Sequence, residues 1–66
     1  MKTFICYDNN TYYILAFIRN DYSKIEDIEF NIKNSSIIET ELEPPVNYSR
    51  NKVVIENGIL TGFVEG

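Results

Sequence analysis

The chain has 66 residues, of which 44% are hydrophobic, 14% aromatic and 24% charged, and ten Asp/Glu against six Lys/Arg leave a formal net charge of -4. That length allows one domain, residues 1–66, because domains run to roughly 100–150 residues and few are much smaller than about 50. One cysteine and no histidine exclude an internal disulfide, the usual Cys/His zinc sets, and nucleophilic catalysis of the Ser-His or Cys-His type.

Residue choice favours strands. Ten Ile, four Val, four Thr, five Tyr and four Phe suit a pleated surface, whereas Ala occurs once and Leu three times. The excess of Ile, Asn, Tyr and Lys over Ala and Arg also carries the coding bias of an AT-rich genome. The N-terminus reaches Asp8 too early for a secretory leader, and the longest apolar run, residues 12–18, falls far short of the ~20 residues that span a bilayer. The expectation is a cytoplasmic chain with no membrane association.

In chain order, residues 3–7 and 11–18 form a first predicted hairpin around Asp8, Asn9 and Asn10, since Asn tolerates the left-handed backbone of a tight turn. With Asn9 and Asn10 as the loop, Tyr7 faces Tyr12, Ile5 faces Ile14 and Phe4 faces Leu15. The second strand is then apolar on both faces, which places it centrally, covered twice. Residues 27–33 alternate between polar and apolar and predict a third strand. Ser23 and Glu26 also fit a helix-capping box, so a short helix near residues 24–33, in an α+β fold, is the alternative. Ile38, Thr40 and Leu42 alternate with Glu39, Glu41 and Glu43, and matching the apolar faces sets Ile32 opposite Ile38, Phe30 opposite Thr40 and Ile28 opposite Leu42. Pro44 and Pro45 end that strand. Residues 52–56 and 59–64 flank Asn57-Gly58, the strongest short-range hairpin signal in the chain. Here Val53, Ile55, Leu60 and Val64 share the apolar face. Gly62, opposite Val53 in this register, marks a bulge or a close backbone approach. The predicted architecture is all-β, a single small antiparallel sheet or half-open barrel of about six strands built from three consecutive hairpins.

Function has to come from surface chemistry. There is no glycine-rich phosphate loop, and Cys6 lies mid-strand among Phe4, Ile5 and Tyr7 with no cation beside it, so neither a nucleotide-dependent transferase nor a thiol enzyme is expected. No cofactor and no metal are expected. The charge excess sits in residues 27–43, where Asp27, Glu29, Glu39, Glu41 and Glu43 meet only Lys33. The register above gathers those five carboxylates on one face of one hairpin, with Glu29 opposite Glu41 and Asp27 opposite Glu43. Such a face suits a basic protein partner; its other reading is a plain solvated face that discourages edge pairing. The loop after the prolines adds Tyr48 and Arg50, residue types that anchor interfaces.

The expectation is therefore a small, non-enzymatic binding protein acting by protein–protein contact. By analogy with other tiny acidic chains of AT-rich origin, it would be a phage or mobile-element inhibitor occupying a basic surface of a host defence or nucleic-acid-handling protein. Unsatisfied sheet edges and the doubly apolar second strand point to a homodimer. The alternative is an oligomeric β module that binds a small ligand, a nucleotide or single-stranded nucleic acid on Tyr7, Tyr12, Tyr13, Tyr22, Phe17 and Phe63, with Arg19, Arg50 and Lys52 nearby. The net negative charge disfavours nucleic acid.

Overall fold

Four consecutive residues near the N-terminus, Thr3, Phe4, Ile5 and Cys6, are completely buried. Successive side chains of a strand point to opposite faces, so this strand is covered on both. In the computed structural model, which describes Met1–Gly66, it is β1 (Thr3–Asp8), the middle of a three-stranded antiparallel sheet flanked by β2 (Ile14–Arg19) and β3 (Ser35–Thr40). A second sheet is the hairpin of β4 (Asn51–Glu56) and β5 (Ile59–Glu65). The only helical pieces are single 3-10 turns at Ile25–Asp27 and Tyr48–Arg50. The fold is all-β, with five strands rather than six.

The core lies between the sheets. Ile5 and Ile14 pack with Val53 and Leu60, and Tyr7, Phe17, Ile38, Tyr48, Ile55 and Phe63 close around them. One corner joins the sheets: Val53 N–H donates to Tyr12 C=O at 2.9 Å, and Tyr13 bridges Lys52. At the far side β3 and β5 approach, with Cα atoms within 8 Å, yet no ladder joins them. The result is a small barrel left open along one seam.

Two bulges set the registers. In the first hairpin Cys6 opposes Ala16 while Tyr7 opposes Ile14, so Leu15 is the extra residue. Ile14 and Phe17 thus both face the core, and Leu15 turns outward. The predicted pairing of Ile5 with Ile14 gives way to Ile5 with Phe17. In the last hairpin Val54 opposes Gly62 and Ile55 opposes Leu60, which makes Thr61 the extra residue beside the predicted irregular Gly62. Phe63 then takes the inward place expected of Val64. The turn itself is as expected: Asn57 and Gly58 have φ of 53° and 79°, the double left-handed conformation of a type I′ turn.

The middle of the chain departs from expectation. Residues 28–34 form neither strand nor helix, and β3 pairs with β1, setting Ile38 beside Ile5 and Thr40 beside Thr3. Asn31 and Asn34 sit at φ 55° and 57°, a conformation that interrupts any extended run. The predicted pairing would also have set Glu29 against Glu41 and Asp27 against Glu43, each repulsive by a few tenths to about 1 kcal/mol. Docking on β1 avoids that and satisfies the free edge of the most apolar strand. β2, expected to be central, is an outer strand of its sheet, with Leu15 and Ile18 each 39% exposed. Segment 20–34 instead acts as a cover, and its Ile25–Asp27 turn lies against β3.

The Thr3 hydroxyl is buried without a hydrogen-bond partner, a desolvation cost with nothing to offset it. In one denaturant series, Phe4→Ala is expected to lose about 3–5 kcal/mol and Thr3→Val, which keeps the branched shape, to gain about 1 kcal/mol. A neutral Phe4→Ala would contradict the coverage of both faces of β1.

Candidate functional site

The five acidic candidates fall on three stretches of the chain rather than on one hairpin. Asp27 closes the first 3-10 turn and Glu29 follows it on the cover, both exposed. Glu39 is exposed on β3, in register with Phe4, so its side chain is on the cover's side of the sheet. Glu41 and Glu43 come after β3 and each meets a cation: Glu41 Oε2 lies 3.4 Å from the Met1 ammonium and Glu43 Oε1 lies 3.6 Å from an Arg19 guanidinium nitrogen. Both carboxylates remain 77% exposed, and such pairs contribute about 0–1 kcal/mol. The expected opposition of Glu29 with Glu41 and of Asp27 with Glu43 does not occur, because the two stretches are not paired strands.

Tyr48 and Arg50 lie on the second 3-10 turn, which packs against β2, at the opposite side of the sheet from β3. The Tyr48 ring meets Phe17 edge-on, with centroids 5.1 Å apart, and so is committed to the core. Arg50 stays exposed and outside any ion pair.

What the fold does assemble is a broader asymmetry. Residues 20–43, comprising the cover, β3 and the segment after it, hold seven carboxylates against Lys24 and Lys33, a net of -5, while the rest of the chain is net +1. Asp21 and Glu26 join the acidic candidates through the cover. The signal for them was present in the charge count, but a window chosen by strand alternation excluded them.

Three hollows mark the surface. One of about 540 Å³ lies between the cover, from Ile28 to Lys33, and the start of β3. A second, about 260 Å³, is lined wholly by Tyr7, Tyr12, Val53 and Ile55. The third, about 430 Å³, separates the end of β3 from the start of β5. Of the aromatic candidates, Tyr7 and Tyr12 come together with centroids 5.9 Å apart, and the Lys52 ammonium stands 5.0 Å from the centre of the Tyr13 ring. Phe17 and Phe63 belong to the core, and Tyr22 projects alone, 97% exposed.

Tyr12 is held at φ 66°, uncommon for a bulky residue. Asp8 holds it there. Its carboxylate accepts from Asn10 N–H at 2.8 Å and Thr11 N–H at 2.9 Å, and its own C=O accepts from Tyr12 N–H at 2.8 Å.

Cys6 is free and completely buried. Nowhere do three or more thiols and carboxylates gather in a group that could hold a metal ion. No helix is long and apolar enough to cross a membrane. Comparison with protein-family models, with curated proteins and with solved structures returns no match.

The hydrogen bonds from Thr11 and then Asn10 hold the Asp8 carboxyl below the usual carboxylate range. A lowered folded value means the turn's contribution is complete above about pH 4, where the unfolded carboxylate ionises, and fades as pH falls through the folded value. Acid titration of stability should therefore show a loss below about pH 4 that is smaller in Asp8→Ala. An identical acid limb in the variant would remove Asp8 as its source.

Proposed function

We propose that this chain is a small acidic, non-enzymatic binding protein that acts by protein–protein contact, covering a basic surface on a protein that handles nucleic acid or defends a host cell, in the manner of inhibitors carried by phages or mobile elements. The observation that carries the proposal is the division of charge into residues 20–43, net -5, and a remainder of net +1. A predominantly acidic region steers a basic partner and raises its association rate. The buried thiol and the absence of histidine leave no accessible thiol or imidazole, which supports binding over chemistry. Cytoplasmic operation belongs to the same proposal, as does a homodimer, for which exposed Leu15 and Ile18 on β2 offer apolar surface.

The test is affinity capture from the source cell with the natural chain beside Glu29→Lys/Glu39→Lys. A basic, nucleic-acid-processing partner retained by the natural chain and lost by the variant, at unchanged thermal stability, is the expected outcome. A partner held equally by both, or recovery of the chain alone, would overturn the proposal.

A second reading has its own observation, the hollow lined by Tyr7, Tyr12, Val53 and Ile55, one of whose walls is a tyrosine held at positive φ. Strain of that kind clusters at ligand sites, and the ring pair suits a nucleobase or another flat ligand. A thermal-shift screen of nucleotides and short oligonucleotides decides it: a raised midpoint, absent in Tyr12→Ala, supports the reading, and no shift removes it.

A further inference from the structure

Acidic side chains, exposed apolar side chains and unpaired backbone meet at one margin of the fold. β3 has β1 as its sole neighbour, and β5 has only β4. Hydrogen-bonding direction alternates along a strand. Lys2 C=O accepts from Asn20 N–H, on the β2 side of β1, and Asn9 N–H donates to Asn34 C=O, on the β3 side. Thr3, Ile5 and Tyr7 therefore face β3 and bond Thr40, Ile38 and Ser36, their partners in register. The N–H and C=O groups of Ser35, Ile37 and Glu39 must point away from the sheet, and no turn or loop hydrogen bond reaches them. At the end of this margin opens the 430 Å³ groove, where Leu42 and Ile59 are 40% and 66% exposed and Glu39 and Glu41 form part of the β3 wall.

We propose that this margin accepts an extended segment of a partner, which adds to β3 as a further strand and places Lys or Arg side chains on Glu39 and Glu41 and an apolar side chain against Leu42 and Ile59. The inference rests on the basic partner argued above and states how that partner is held. In strand addition the main-chain hydrogen bonds supply affinity and alternate side chains supply selectivity. Charge selects the occupant. Glu39 and Glu41 on the β3 wall of the groove complement a positively charged occupant. A segment alternating basic and apolar residues meets both features of the groove.

The probes are capped eight-residue peptides titrated into isotopically labelled protein: alternating Lys and Val with free amides, the same peptide with every amide N-methylated, and alternating Glu and Val. The free-amide Lys/Val peptide should bind and protect the amides of Ile37 and Glu39 from hydrogen exchange, and the N-methylated form should bind at least about tenfold more weakly. The Glu/Val peptide should not bind. Glu39→Pro deletes an outward N–H that the β1 ladder does not use, so its affinity should fall about tenfold below that of Glu39→Gln, which deletes charge alone. Equal affinity for the N-methylated peptide, or binding without protection at Ile37 and Glu39, overturns strand addition and leaves the basic partner standing. Failure of both Lys/Val peptides to bind also overturns it, and the capture experiment with Glu29→Lys/Glu39→Lys then decides the parent proposal separately.

Discussion

Everything in this protein is arranged around burying one six-residue strand. β1 carries Phe4, Ile5 and Cys6 in succession, so it needs apolar cover above and below as well as hydrogen-bonding partners along both edges. β2 and β3 meet the second requirement. The β4–β5 hairpin covers the side of Ile5, and Phe4 and Cys6, on the other side, are equally shut off from water. A chain of this size has little apolar surface to spare, and committing so much of it to one strand leaves the remaining elements as walls around it. The consequence is visible in β2, whose Leu15 and Ile18 are left partly in water.

How much of this was legible depends on how far apart the deciding residues lie. The Asn57-Gly58 turn was readable because two adjacent residues decide it. The strand expected to run on to Pro44 stops at Thr40 instead, because β1, its partner, begins at Thr3 and pairs Thr40 with that first residue. Strand content and the first hairpin followed from composition and a short turn. Registers were less accessible: the extra residues at Leu15 and Thr61 leave only a faint trace, in Gly62, and each moves one aromatic or aliphatic side chain across its sheet. The partner of β3 was beyond local reading. Residues 27–33 alternate as a strand should, but β1 offers a more apolar edge with no carboxylates opposite, and that competition between distant segments decides the outcome.

The candidate site shows the same division. That the acidic excess resides in the middle of the chain is a matter of counting and survives whatever the strands do. Its assembly into a single ladder of facing carboxylates depended on a pairing that does not form. Electrostatics thus attaches to a region, the cover together with β3, rather than to a precise array. Tyr48 illustrates the opposite case: an aromatic in a proline-bounded loop either anchors a partner or folds back on the sheet, and Phe17 supplies the ring on which it closes. The margin at Leu42 and Ile59 appears only once β3 and β5 are set beside each other without bonding.

Ile5 of β1 and Leu60 of β5 share one core, although β2, β3 and β4 lie between them in sequence. During synthesis the first strand leaves the ribosome early, but its lateral partner and the hairpin that seals it are translated much later. Until then its row of large apolar side chains has no shelter of its own. Local turns can form as they emerge, whereas this interior cannot close until the β4–β5 hairpin is free, so the core forms late.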